Sequence, residues 1–221
     1  MITKPLYNQY CKIVMLLICF FIEIFWSHAT FAQATAPINT LFNARLKRAN
    51  AVFTMPTGFR ELDSGKDYSC QYNAIMNQMN YTIVNAGNSV RIGFAYVYPL
   101  DGWAKELSSK ALNQNPDPHY IIVAKNFADT VNHKLIIYKE KYLKKTFNAD
   151  NGGMYHRNCT KLYEGIYPLS KAVFIHKEES GYFEISYFYK DQPETEIEKL
   201  IKDTAGMLRF KDDGASGHNG E

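Results

Sequence analysis

Apolar positions recur at two periods along this chain, and the final third shows both most cleanly. Ala172–Lys177 and Tyr182–Tyr189 alternate apolar with polar residues around Glu178-Glu-Ser-Gly181, the pattern of two strands joined by a tight turn. Asp191 and Pro193 then open a stretch in which Ile197, Leu200, Ile201 and Ala205 fall three or four apart, the spacing of a buried helix face. Glu194 and Glu196 suit the positive end of that helix, and Gly206 stops it. Met207-Leu-Arg-Phe210 reads as a last short strand or docking segment, and 211–221, rich in Gly and Asp, as a disordered tail.

Upstream, Val90–Tyr98 puts Ile92, Phe94, Tyr96 and Tyr98 on one face and Gly93, Ala95 and Val97 on the other. Tyr81–Val84 precedes it across Asn85-Ala-Gly-Asn88, which predicts an earlier hairpin. Val52–Met55 predicts a first strand, stopped by Pro56 and Gly58. Asp101 can cap a helix to about Leu112 with Trp103, Leu107 and Ala111 as its stripe. Tyr120–Ala124 and Lys134–Tyr138 are apolar enough for strands. Glu140–Phe147 predicts a helix with Tyr142, Leu143 and Phe147 inward, halted by Asn148–Gly153. Residues 63–80 carry no settled period, and 154–170 read as irregular. Strands and hairpins with interspersed helices give an α+β class: an antiparallel sheet with a few helices packed on it and a C-terminal hairpin followed by a helix.

The first thirty-odd residues carry a different signal. Lys4 and Lys12 flank a polar start, Ile13–Ile22 runs apolar, and small residues lead to Ala29-Thr-Phe-Ala32. A positive start, an apolar centre and a small-x-small exit describe a secretory signal peptide, with cleavage expected after Ala32. Glu23 interrupts the run, which falls short of the roughly 20 apolar residues a spanning helix needs. No second apolar run of spanning length follows, so no membrane span is expected after cleavage. The expected organisation is 1–32 signal, 33–50 flexible leader with one helical turn around Leu41–Leu46, 51–210 a single α+β domain, and 211–221 tail. The location implied is periplasmic or extracellular, in a Gram-negative bacterium. In that setting the acceptor triplets at Asn80 and Asn158 are chance matches.

Charge narrows the function classes. With 25 Lys and Arg against 22 Asp and Glu and no long block of either sign, the chain lacks the clustered positive face of a nucleic-acid binder. Cys11 and Cys19 lie in the signal, leaving Cys70 and Cys159. Export favours a disulfide between them. Two buried free thiols are equally compatible with the sequence, because two cysteines make no spacing pattern.

Phe53-Thr-Met-Pro-Thr-Gly-Phe59 resembles the strand-then-Pro opening of PsbP-like domains. The hairpin through Tyr187, the helix Ile197–Met207 and Leu208-Arg-Phe210 are similar to the way those domains close. The likeness covers the two ends only, and Phe147-Asn-Ala-Asp150 has no counterpart. It implies an α+β fold and, since such domains are mostly non-enzymatic, an accessory or binding role. It carries no site residues over.

Candidate chemistry is sparse. His156 and Cys159 form His-x-x-Cys, which can serve as a Cys/His nucleophile pair. A zinc site needs about four ligands in paired spacing, and His119, His133 and His176 are scattered, so neither metal nor cofactor is expected. Asn148-Ala-Asp150-Asn-Gly-Gly153 can offer oxygens to a cation or sugar, or simply end a helix. Trp103, Tyr155, Tyr163 and Tyr167 can build an aromatic platform for a sugar or peptide, or lie half-buried against a sheet. The sequence therefore favours an exported, non-enzymatic binding or accessory module of the cell envelope, with a protein, peptide or glycan ligand. The alternative is a small envelope hydrolase using Asp150, His156 or Cys159.

Overall fold

Strand pairing organises the computed structural model, which describes residues 40–62, 79, 81–97, 119–129, 131, 133–157 and 162–212. All of these lie in a compact unit spanning Pro37–Glu221. The chain order is α1 (Thr40–Arg48), β1 (Ala51–Phe53), β2 (Phe59–Glu61), β3 (Tyr81–Asn85), β4 (Val90–Val97), α2 (His119–Phe127), β5 (Ile136–Ile137), α3 (Glu140–Phe147), β6 (Asn151–His156), β7 (Leu169–Lys177), β8 (Gly181–Tyr189), α4 (Glu194–Thr204) and β9 (Leu208–Phe210). Among the described residues seven strands form one sheet in the order β2-β3-β4-β8-β7-β6-β5, antiparallel throughout. β1 and β9 pair separately, Ala51 opposite Phe210. The fold is α+β on an antiparallel sheet, as the periodicities predict.

The C-terminal hairpin is the sheet's centre. β7 and β8 pair from Leu169↔Tyr189 to Lys177↔Gly181, and β4 covers the other edge of β8 from Val90↔Tyr189 to Val97↔Tyr182. All nine residues of β8 are buried. On one face Ile83, Ile92, Phe94, Val173, Ile175, Phe183 and Ile185 meet α1, α3 and α4 in the main core. On the other, Tyr155, Ala172 and Phe174 meet Ala124 and Phe127 of α2, while Met79, Tyr163, Tyr167 and Phe188 form a neighbouring cluster.

The helix after the hairpin forms where its spacing places it, with Ile197 and Ile201 buried and Leu200 only half-buried at the flank. Its far end is tied to the sheet by Tyr187 Oη and Thr204 Oγ1, 2.9 Å apart. α3 keeps the predicted bounds, and Asn148 in the left-handed region (φ 51°) ends it. Asn is one of the few residues that adopt this conformation readily.

Three expectations are corrected. Tyr120–Ala124 lies in a helix, α2, because Ala124 and Phe127 share one helical face; a short apolar run alone does not separate strand from helix. The supposed leader contains a full helix, α1, whose Phe42 and Leu46 are buried; the Phe42 ring stacks on Tyr81 at 4.3 Å. Part of the stretch read as irregular is strand β6, and Gly152 and Gly153 belong to it rather than to a helix stop. A Cβ on Gly152 would sit 2.6 Å from the Phe174 carbonyl oxygen. One on Gly153 would press on the Ile136 carbonyl and lie 2.9 Å from the Phe174 ring. The glycines are there because β5 and β7 approach too closely for a side chain. The helix expected over Asp101–Leu112, the tail beyond 212 and the whole of 1–32 lie outside the described residues.

Candidate functional site

Among the described residues, Asp150 and His156, singled out in the sequence, do not lie together. Asp150 and His156 bracket β6, and six residues of extended strand put them about 20 Å apart. Asp150 is occupied structurally. Its Oδ2 accepts the Glu178 backbone N–H at 2.8 Å, and its Oδ1 binds Lys144. Burial pushes its pKa up, but these bonds outweigh that and leave it below the ordinary carboxylate value. The Asn148 side-chain amide donates to the carbonyls of Phe210 and Lys211. Asn148 and Asp150 thus spend their polar groups on joining α3, the β7–β8 turn and the end of β9.

His156 lies at the other end, beside the first turn of α4. Its Nε2 is 3.0 Å from Glu194 Oε1, and its ring stacks on His133 at 3.7 Å. Burial, then the Lys171 ammonium, then His133 hold its pKa below the ordinary histidine value, so the ring is neutral at pH 7. Next to it the side chain of Lys171 is fully buried, with Nζ 2.7 Å from Glu194 and 3.2 Å from Glu198. Two carboxylates one helical turn apart therefore clamp α4 to β7 through one buried cation.

The tyrosines lie inward. Tyr155, Tyr163 and Tyr167 are each 1 % exposed, so these three offer no open ring face to a ligand. Tyr163 stacks on Phe188 at 4.0 Å. Tyr167 Oη accepts from Arg91 Nε at 3.1 Å and lies 2.9 Å from Asn88 Oδ1, beside the Arg91–Glu164 ion pair. Tyr155 Oη donates to Glu184 Oε2 at 2.6 Å, and burial holds this phenol protonated. Glu184 Oε1 takes Arg157 Nη2 at 2.9 Å, Arg157 Nη1 donates to Ser186 Oγ at 3.0 Å, and Ser186 reaches back to Glu184 at 3.2 Å. This four-residue network is buried beneath α2, with the Arg157 guanidinium over the Phe127 ring. Trp103, Cys70, Cys159 and the side chain of His119 lie outside the described residues. Among the described residues no three His, Cys, Asp or Glu side chains gather as a metal site, and no helix is long and apolar enough to cross a membrane.

What the structure does form is an apolar cleft of about 490 Å³ at the β5 edge of the sheet. Ile136, Ile137, Met154 and Ile201 line its walls, and Tyr138 and Tyr142 stand at the start of α3. Lys139, Glu198 and Lys202 bring charge to it. Ile136 and Ile137 are 45 % and 56 % exposed, an uncovered apolar pair on an edge strand. Beside an apolar cleft, this exposed pair makes a continuous apolar surface at the sheet's edge. The periodicity hid this site: a two-residue strand has no alternation to read, and its walls come from β5, β6 and α4, which are distant in sequence.

Comparison with family models, with curated proteins and with solved structures gives no match to this chain.

Proposed function

We propose that the protein is an exported, non-enzymatic binding module of the cell envelope and that the β5-edge cleft is its ligand site. The observation that carries this reading is the cleft's apolar lining together with the exposure of Ile136 and Ile137. Small-molecule sites are concave, mostly apolar and roughly 300–1,000 Å³, with a few polar groups to orient the ligand. The signal-like N-terminus supports export, and the resemblance to PsbP-like domains agrees with an accessory role. An environment-sensitive apolar dye should bind saturably to the protein, and Ile137→Glu should abolish that binding. Because Ile137 is more than half exposed, the variant should keep the parent's circular dichroism and melting temperature. A folded Ile137→Glu protein that binds dye like the parent would place the site elsewhere.

One observation favours the hydrolase alternative: the Glu194 carboxylate orients His156, as an acid orients the base of a nucleophilic triad. The missing partner is Cys159. Thiol titration of unfolded, unreduced protein decides its availability. Two reactive thiols leave it free, whereas none ties it to Cys70 and removes the nucleophile.

A further inference from the structure

The cleft's walls and its charges have separate consequences for what fits it. Ile136, Ile137, Met154 and Ile201 present hydrocarbon. A peptide laid there brings a backbone donor and acceptor at nearly every residue, each needing a partner. An acyl chain brings none. Of the charged groups at the cleft, the Glu198 carboxylate is already engaged by the buried Lys171 ammonium at 3.2 Å. Lys139 and Lys202 form no ion pair among the described residues, and because Lys171 is shared between Glu194 and Glu198, three cations face two carboxylates there and the mouth is net positive. Lysine suits such a place, because its methylene stem extends the apolar wall while its ammonium stays wet.

We infer that the cleft takes an anionic single-chain amphiphile, its acyl chain against the four apolar walls and its head group at Lys139 and Lys202. This rests on the cleft being the ligand site. A free fatty acid and a lysophospholipid both present an oxyanion on one chain, and an ammonium, a compact point charge, receives either.

The test is displacement of the bound dye by probes of one chain length: a fatty acid, a lysophosphatidylglycerol and an uncharged monoacylglycerol, all below their micelle concentrations. At least one anionic probe should act at about tenfold lower concentration than the uncharged one, the gain expected of two exposed charge pairs. High salt should narrow that gap. Lys139→Gln with Lys202→Gln should close it, weakening the anionic probe clearly more than the monoacylglycerol. A gap for the carboxylate alone, or for the phosphate alone, identifies the source and keeps the inference. Equal displacement by all three probes, or an unchanged gap in the lysine variant, overturns it while the cleft stands. Displacement by an acidic, apolar peptide and by none of the amphiphiles overturns it in favour of a peptide partner. If the dye itself does not bind, the cleft reading fails, which is a different result from either.

Discussion

Replacing Glu184 by Gln should destabilise this protein more than any surface change. Glu184 is 5 % exposed and the Arg157 side chain beside it is fully buried, so the substitution leaves a cation out of water with its counter-charge gone. Breaking a buried pair by removing one partner costs about 3–5 kcal/mol. The amide also changes what Tyr155 Oη meets, from a charge-assisted bond at 2.6 Å to a neutral one. Against a typical total stability of roughly 5–15 kcal/mol, the loss is a large fraction. The same reasoning says that the pair is not worth that energy: replacing both groups by apolar residues of similar volume is often neutral or stabilising. Urea denaturation followed by circular dichroism should therefore give a large loss for Glu184→Gln, a similar one for Arg157→Met, and a much smaller one for Glu184→Leu with Arg157→Met. Single variants that each lose less than about 1 kcal/mol would show that water reaches the pair, in the range of exposed ion pairs. Additive losses in the double variant would show that the two charges are not coupled.

Gly153→Ala should push β5 off β6, because the new methyl meets the Ile136 carbonyl and the Phe174 ring; the expected cost is about 1–3 kcal/mol with weakened dye binding, read by melting and titration. Ile201→Ala should cost about 2–5 kcal/mol, and Leu200→Ala clearly less, since Ile201 is 4 % exposed while Leu200 is half-buried; equal losses would misplace the buried face of α4. Stability should also fall in acid. His156 and His176 both have folded pKa values held below the ordinary 6.5, by burial first, so the unfolded chain binds more protons as pH drops. Their contribution is fully present above about pH 6.5 and is lost below it, towards the folded values. Asp150, also lowered, adds a further loss below the ordinary carboxylate range. Denaturation midpoints that rise between pH 7 and pH 5 would contradict the sign.

How much was legible in the sequence depended on how far each element carries its own period. β7, β8, α3 and α4 are long enough to show alternation or helical spacing, and their type follows from it; β7 nevertheless starts at Leu169, three residues before the alternation, and α4 at Glu194 rather than Asp191. β8 also shows the limit. Glu184 and Ser186 occupy its polar positions, and alternation in an antiparallel strand reads as one face towards water. Here that face is buried under α2, and the polar residues meet Arg157 and Tyr155 from a neighbouring part of the sheet. Which strands lie beside β8, and what covers them, is a matter of topology that no local window contains. α1 was missed because Phe42 and Leu46 are its buried residues amid Arg45, Lys47 and Arg48. β6 was missed because its two glycines look like a turn until the neighbouring backbones are in place. The sequence singled out His156 and Asp150 as candidate catalytic groups. In the structure His156 contacts Glu194 at the start of α4, and Asp150 accepts a bond from the β7–β8 turn. The cleft had no sequence signal except the apolar pair Ile136-Ile137, one residue from the aromatic Tyr138.

The cleft as ligand site is tested most directly by methyl-resolved NMR of protein labelled at isoleucine and methionine, titrated with a single-chain fatty acid. The resonances of Ile136, Ile137, Ile201 and Met154 should shift saturably and together. Those of Ile83, Ile92 and Ile185, in the core on β3, β4 and β8, should stay in place. Shifts that fall on the core group, or no saturable shift at any of the four cleft residues, would contradict the account.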